Sequence, residues 1–189
     1  METMTELIEY YKGIFTILSS CASRQLEEVT FRRTVIPVQE LLDAAGKYFK
    51  KLMKNRPERI ELEIESMEAK VIGDVNQLRF LLENLIDEAL TVREDGVIRL
   101  QARKDNEYIR FLFTDTRREK SVEELNQLFY PNLARMTSGE KGELRGTEYL
   151  VCKQIIRDHD EFAGRRGCRI NAEPAEGGGF TVYFTIPRR

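Results

Sequence analysis

Apolar residues return at helical spacing in four long stretches of the chain. Over residues 4–30, Leu7, Tyr11, Ile14, Leu18 and Cys21 alternate steps of four and three, a heptad-like seam. Ile8, Phe15 and Ile17 widen that seam beyond what one partner strip requires. The segment reads either as a core helix of the same domain or as half of a dimerising helical hairpin. A break over Thr34 to Pro37 follows it. A second helix is predicted over about 38–54, with Leu41, Leu42, Ala45, Tyr48, Phe49, Leu52 and Met53 on one stripe. Lys50, Lys51 and Lys54 suit the negative end of its dipole, and Asn55-Arg56-Pro57 stops it. A third helix runs from Asp74 to about Val92 and buries Leu78, Leu81, Leu82, Leu85, Ile86 and Ala89. Asp74 with Gln77 gives it a capping-box-like start. Ser121 with Glu124 caps a short helix that ends near Phe129, and a last long helix covers about Thr147–His159.

Between these stretches the period changes to two. Ile60, Leu62 and Ile64 alternate with Glu61, Glu63 and Glu65, as in a half-buried strand. Lys70-Val71-Ile72 reads as a short strand. Val97–Ala102 and Tyr108–Thr114 read as two longer ones, joined by a turn at Lys104-Asp105-Asn106. Cys168–Glu173 and Phe180–Ile186 are the last strands, separated by Gly177-Gly178-Gly179 and closed by Pro187. Residues 130–146 carry Pro131, Gly139, Gly142 and Gly146 with little periodicity, the mark of a long loop. Helices interleaved with hairpins imply an α/β two-layer sandwich, a mixed, mostly antiparallel sheet with helices on one face. The N-terminal helix, residues 1–36, is set apart from the domain proper, residues 37–189.

Composition narrows the possible chemistry. The chain has 189 residues, 41% of them hydrophobic, enough to build a core in one domain. Thirty Lys and Arg against 32 Asp and Glu leave a net charge of −2, which argues against a nucleic-acid partner. A single His cannot supply a two-His metal site. Three Cys without a C-x-x-C give neither a disulfide framework nor a zinc ribbon, and suit a reducing compartment. The Met1-Glu2-Thr3 start lacks the basic region of a signal peptide. Ile14 to Leu18 falls far short of the roughly 20 apolar residues of a membrane span. A cytoplasmic location is expected, with any membrane anchor outside this chain.

Several pieces, in order, resemble one family. Gly73-Asp74-x-x-x-Leu78 and Leu82-x-Asn84-Leu85-Ile86-x-x-Ala89 look like the N-box helix of the histidine-kinase branch of the GHKL ATPases, the superfamily of gyrases, heat-shock chaperones and mismatch-repair ATPases. Gly96-Val97-Ile98-Arg99-Leu100 resembles the strand after that helix, and Phe113-Thr114-Asp115 the strand end that carries the G1-box Asp. Leu128-Phe129-Tyr130 sits where an F-box would. Lys153-Gln154-Ile155-Ile156-x-x-His159 is similar to the helix after the G2 box. Gly179-x-Thr181 and Phe184-x-Ile186-Pro187 resemble the final strand. The resemblance covers roughly residues 38–187. It implies the ATP-binding, catalytic domain of a bacterial sensor histidine kinase acting in two-component-type signalling, diverged and weak or inactive as a kinase, with ATP and Mg²⁺ as cofactors.

Carried over residue by residue, the resemblance makes Asp115 the acceptor of the adenine amino group. Gly146, Thr147 and Thr181 join it around the nucleotide, and Asn84 and Glu88 become the catalytic and Mg²⁺-binding pair. Glu88 replaces the usual second Asn of the N-box, and a carboxylate still ligates Mg²⁺. Asn84 reads equally as a buried structural Asn. The G1 glycines fall on Arg117 and Glu119, where side chains occupy space that nucleotide needs. The G2 glycines other than Gly146 fall on Leu144 and Glu148. Glu148 places a carboxylate at the helix end that would receive phosphate. Across Pro131 to Leu150, Arg135, Lys141 and Arg145 balance Glu140, Glu143 and Glu148, so this region has no net attraction for a polyanion. Arg117, Arg118 and Lys120 read as a solvated basic turn, with a phosphate clamp as the alternative. His159 reads as structural. Residues 1–34 contain no His, so the usual phosphoacceptor is missing and enzyme activity is left open. The partners expected are a second copy of the chain, through the N-terminal helix, and a response-regulator or sensor domain. The alternative is a pseudo-kinase scaffold that keeps the fold for protein contacts without nucleotide.

Overall fold

A computed structural model describes residues 4–8, 11–12, 31–131 and 147–189. Seven strands and four helices follow residue 33 among the described residues. In chain order they are β1 (Thr34–Pro37), α1 (Val38–Met53), β2 (Ile60–Ile64), β3 (Lys70–Gly73), α2 (Val75–Ala89), β4 (Gly96–Asp105) and β5 (Tyr108–Asp115). Then come α3 (Val122–Asn126), α4 (Glu148–Phe162), β6 (Ile170–Pro174) and β7 (Phe180–Pro187). The main sheet has the order β2-β4-β5-β7-β6, with β2 parallel to β4 and every other pair antiparallel. β1 and β3 form a separate antiparallel pair.

The alternation read from the sequence is the alternation of the sheet. Along β5, Ile109, Phe111, Phe113 and Asp115 are buried while the residues between them are half-exposed. Their partners on β7 are Ile186, Phe184, Val182 and Phe180. Phe111 stacks on Phe184 with ring centroids 4.9 Å apart, at the centre of the core. Helices α1 and α2 pack on each other, and α2 packs on α4. The fold is therefore an α/β sandwich with a mixed, mostly antiparallel sheet.

Boundaries moved in two instructive places. Thr34–Pro37, expected to be a break, is strand β1, paired from Thr34↔Gly73 to Pro37↔Lys70. Its partner lies about 35 residues away, and Pro37 masks its strand character. The β4–β5 hairpin turns at Asn106-Glu107, one residue later than expected, because Asn106 tolerates its φ of +53°. Residues 4–8 and 11–12 are helical, as the heptad-like seam implies there. The rest of the expected N-terminal helix and most of the loop after Pro131 lie outside the described residues. Among the described residues no helix is long and apolar enough to cross a membrane.

The start of α2 is built by one tight junction. Asp74 is the N-cap, and its Oδ1 accepts from the backbone N–H of Asn76 at 3.0 Å and of Gln77 at 3.1 Å. Its Oδ2 accepts from the Arg32 backbone N–H at 2.9 Å. Gln77 does not complete a capping box, since its buried Oε1 has no hydrogen-bond partner among the described residues. The Asp74 backbone N–H donates to His159 Nε2 at 3.1 Å. His159 Nδ1 lies 2.8 Å from the Ile155 carbonyl, which assigns the proton to Nδ1. His159 is fully buried, and burial lowers its pKa, so the imidazole is neutral. Gly73 makes room for it, because a Cβ there would lie 2.8 Å from the imidazole Nε2. The structural reading of His159 thus acquires a definite role, joining the end of α4 to the start of α2.

Candidate functional site

The residues that carry the chemistry meet where β5 ends beside the C-terminal half of α2. Asp115 is the last residue of β5 and 1% exposed. Beyond it the chain turns sharply. The Thr116 N–H and Oγ1 both donate to the Val97 carbonyl, at 3.2 and 2.6 Å. The Arg117 N–H donates to Asp115 Oδ1 at 3.0 Å, an Asx turn. That turn folds the Arg117 side chain back under its own strand. It is not solvated: its side chain is 1% exposed and lies against the Asp115 carboxylate. The expectation of a solvated basic turn is corrected here, and so is the phosphate-clamp alternative.

Every guanidinium N–H of Arg117 has an acceptor. Nε donates to Asp115 Oδ1 at 2.9 Å, and Nη2 donates to Asp115 Oδ2 at 3.0 Å and to the Ala89 carbonyl at 2.6 Å. Nη1 donates to the carbonyls of Val92 at 3.1 Å and Glu94 at 3.0 Å. These carbonyls belong to the end of α2 and the segment after it, where unpaired C=O groups and the helix dipole favour a cation. The last turn of α2 has no basic residue of its own. Arg117 supplies that charge from the next hairpin. The aliphatic stem lies on Gly96, where a Cβ would come 2.6 Å from Arg117 Cγ. Gly96 also has a φ of +145°, which side chains rarely adopt.

Arg118 holds the neighbouring carboxylate. Its Nη2 is 2.8 Å from Glu88 Oε2, and its Nε is 3.3 Å from Asp115 Oδ2. Burial disfavours the Arg118 charge, but the hydrogen bond and charge of Glu88 more than offset it and raise its pKa. The Tyr149 hydroxyl, in the first turn of α4, donates to Glu88 Oε2 at 2.6 Å. Burial and the Glu88 carboxylate both raise the Tyr149 pKa, so the phenol keeps its proton. Arg118 and Lys120 both lie over the ring of Phe180, 5.5 and 5.4 Å from its centroid. One cluster thereby ties β5, α2, α4 and β7 together.

The residues expected around a nucleotide are only partly brought together. Asp115 and Glu88 are neighbours through Arg118. Asn84 lies one turn before Glu88 on α2, 8% exposed, and its amide nitrogen donates to the Phe80 carbonyl at 2.8 Å. Thr181 does not face Asp115. It pairs with Thr114, and the two hydroxyls are 2.7 Å apart on the opposite face of the sheet. The alternation of β7 puts Phe180, not Thr181, on the Asp115 side. Thr147 precedes α4 and makes no side-chain cap. Gly146 lies outside the described residues. A cleft of about 560 Å³ does open between α1 and α2, lined by Asp43, Lys47, Tyr48, Arg79 and Glu83 among others, but it contains none of these site residues.

The donors and acceptors present do not fit adenine. A carboxylate offers about four lone-pair sites. Asp115 accepts four N–H groups, three from Arg117 and one from Arg118. No acceptor is left for an adenine amino group, and a guanidinium fills the space beside it. Of the expected Mg²⁺ pair, Glu88 is already engaged by Arg118 and Tyr149, whereas Asn84 donates through its amide nitrogen to the Phe80 carbonyl, a bond that does not use the Oδ1 a metal would take. Among the described residues no group of three or more His, Cys, Asp or Glu converges as a metal site. Arg117, Arg118 and Tyr149 are the residues that sequence reasoning misassigned or missed. Two adjacent arginines straight after a strand-end Asp, with no basic residue in the last turn of α2, were the available signal.

Comparison with known proteins bears on this arrangement. The family model described as histidine kinase-, DNA gyrase B-, and HSP90-like ATPase matches residues 73–189, more than half the chain. No curated protein matches the sequence. The catalytic domain of histidine kinase ThkA, in a nucleotide-free form, superposes with a TM-score of 0.64 at 21% identity, covering 83% of this chain and 96% of that one. The mycobacterial sensor histidine kinase MprB gives a TM-score of 0.64 at 18% identity, over 84% of this chain and 99% of that one. ThkA in complex with the response regulator protein TrrA matches all of this chain, which spans 52% of that one, at 20% identity and a TM-score of 0.64. These structures share the overall fold, at identities that speak for the fold alone. With the family model matched from Gly73 through the last strand, the chain belongs to the histidine kinase-, DNA gyrase B-, and HSP90-like ATPase family.

Proposed function

We propose that this chain is the ATPase-type module of a sensor histidine kinase that has become a pseudo-kinase: it keeps the fold and signals through protein contacts without nucleotide. The observation that supports this reading is the saturated Asp115 carboxylate. The group that would select adenine accepts four protein N–H groups and is 1% exposed. Opening it would leave a guanidinium and a carboxylate unpaired in a dry site, which costs several kcal/mol. Arg118 alone neutralises Glu88, the residue the resemblance assigns to Mg²⁺. Calorimetric titration with Mg²⁺–ATP tests the reading. A flat response at millimolar nucleotide is expected. Saturable heat that vanishes in Asp115→Ala would establish the other reading, a diverged kinase that still binds ATP.

The partners follow from the same family. ThkA was crystallised with a response regulator, and a response-regulator or sensor domain is the partner proposed for this module in a cytoplasmic two-component system. Self-association is proposed through the helical N-terminal segment; of the expected 1–36 helix, Thr34–Ile36 belong instead to strand β1, which is counted with the ATPase-like domain. Deleting residues 4–30 is expected to convert a dimer into a soluble monomer by light scattering. An insoluble product would instead make the segment part of the domain core.

A further inference from the structure

We infer that the pocket beside Asp115 is a guanidinium receptor, with the Arg117 side chain as its resident ligand, so that an emptied pocket takes a small guanidinium cation rather than a purine. This rests on the reading of the site as one closed to nucleotide, and it goes further by naming what the site is shaped to hold.

The lining of the pocket is made of acceptors. Asp115 contributes both carboxylate oxygens, and Ala89, Val92 and Glu94 contribute backbone carbonyls. They match the five donors of a planar guanidinium one for one, the fork geometry in which Arg differs from Lys. Adenine offers a different pattern. Its amino group donates, but its ring nitrogens are acceptors. Set against three carbonyls and a carboxylate, those lone pairs would face oxygen lone pairs. The charge also favours the cation. The lining includes one carboxylate and the negative end of α2, whose last turn lacks a base. Most of this lining is backbone, fixed by α2 and by the turn into β4. The Gly96 N–H donates to the Arg59 carbonyl at 3.0 Å and the Thr116 N–H to the Val97 carbonyl at 3.2 Å, holding that turn independently of Arg117. Asp115 Oδ2 also accepts from Arg118 Nε at 3.3 Å, so the carboxylate has one partner that does not depend on Arg117. The pocket is thereby built by groups that survive loss of the ligand.

The test is chemical rescue in the whole chain. Arg117→Ala should lower the Tm. Methylguanidinium at on the order of 10 mM, far below denaturing concentrations, should restore about half of the loss while leaving the wild-type Tm unmoved. Matched sodium chloride and methylammonium, which supply ionic strength and a charge without the fork, should restore nothing. Rescue by adenine or Mg²⁺–ATP in place of methylguanidinium would overturn the inference and show a purine site that Arg117 merely blocks. Rescue by methylammonium as well would overturn the fork argument, and no rescue by any cation would overturn the receptor. If Arg117→Ala does not fold, Arg117→Lys carries the test. Its Tm should fall below that of the wild type, since an ammonium cannot reach all five acceptors, and an unchanged Tm would overturn the inference. Nucleotide titration of the wild type separately decides the pseudo-kinase reading, so the two failures are distinguishable.

Discussion

The two ends of α2 solve the same problem in opposite ways. At the N-terminus the unpaired groups are N–H donors, and they meet a carboxylate on the adjacent residue, Asp74, together with the neutral imidazole of His159. At the C-terminus the unpaired groups are carbonyls, and they meet the guanidinium of Arg117, 28 residues beyond Ala89. The helix dipole dictates which charge each end accepts. The lesson concerns charge state as much as placement. A histidine buried at the positive end is held neutral, while an arginine buried at the negative end stays charged because every donor is matched. The side chain that caps the second end also saturates Asp115, the acceptor that the family resemblance assigns to adenine.

Breaking the C-terminal end should cost the most. Asp115→Ala leaves Arg117 with carbonyl partners but no counter-charge at 1% exposure, and a loss of about 3–5 kcal/mol is expected in urea unfolding. A loss below about 1 kcal/mol would mean that the carbonyls alone hold the guanidinium. The N-terminal end is more sensitive to volume than to charge. Gly73→Ala would drive a Cβ against the His159 ring, a 2.8 Å contact, and a loss of about 1–3 kcal/mol is expected for overpacking. If that variant is as stable as the wild type, the junction is looser than its geometry implies.

The smallest effect is a dependence on pH. The folded pKa of His159 lies below the ordinary value of 6.5, so between those two values the unfolded chain binds the extra proton. The stability supplied by the neutral imidazole is therefore complete above pH 6.5 and is lost as the pH falls through that window. His159→Gln should be less stable at pH 8 and should lack this slope between pH 7 and pH 5. An unchanged slope in the variant would assign the acid sensitivity to carboxylates elsewhere.

The same contrast marks how far the sequence could be read. Asp74 was legible as a cap because a cap is local: the residue bonds N–H groups two and three positions on. The Ser121 and Glu124 capping box was legible for the same reason, and both of its reciprocal bonds are present. Strand alternation gave the core, since period-two burial of Phe111 or Phe184 needs no knowledge of the partner strand. β1 escaped because its pairing is with β3 and its sequence ends in proline. Thr181 was misplaced because family spacing fixes a position along a strand, whereas side-chain parity fixes the face. Arg117 was misread because a short basic cluster carries no local sign of burial. Its acceptors come from residues 89, 92, 94 and 115, and only the packing of α2 against the β4–β5 hairpin brings them together.

The sequence by itself determined most of the elements, the sandwich class and the family resemblance, because periodicity, caps and motif spacing are written along the chain. It also placed Arg117, Glu119, Leu144 and Glu148 where the family resemblance expects glycines. Only the tertiary structure decided what Arg117 does there. A buried charge is tolerated where its donors and counter-charge are met in three dimensions. That condition is a property of converging backbone carbonyls and one carboxylate, which the order of residues does not state.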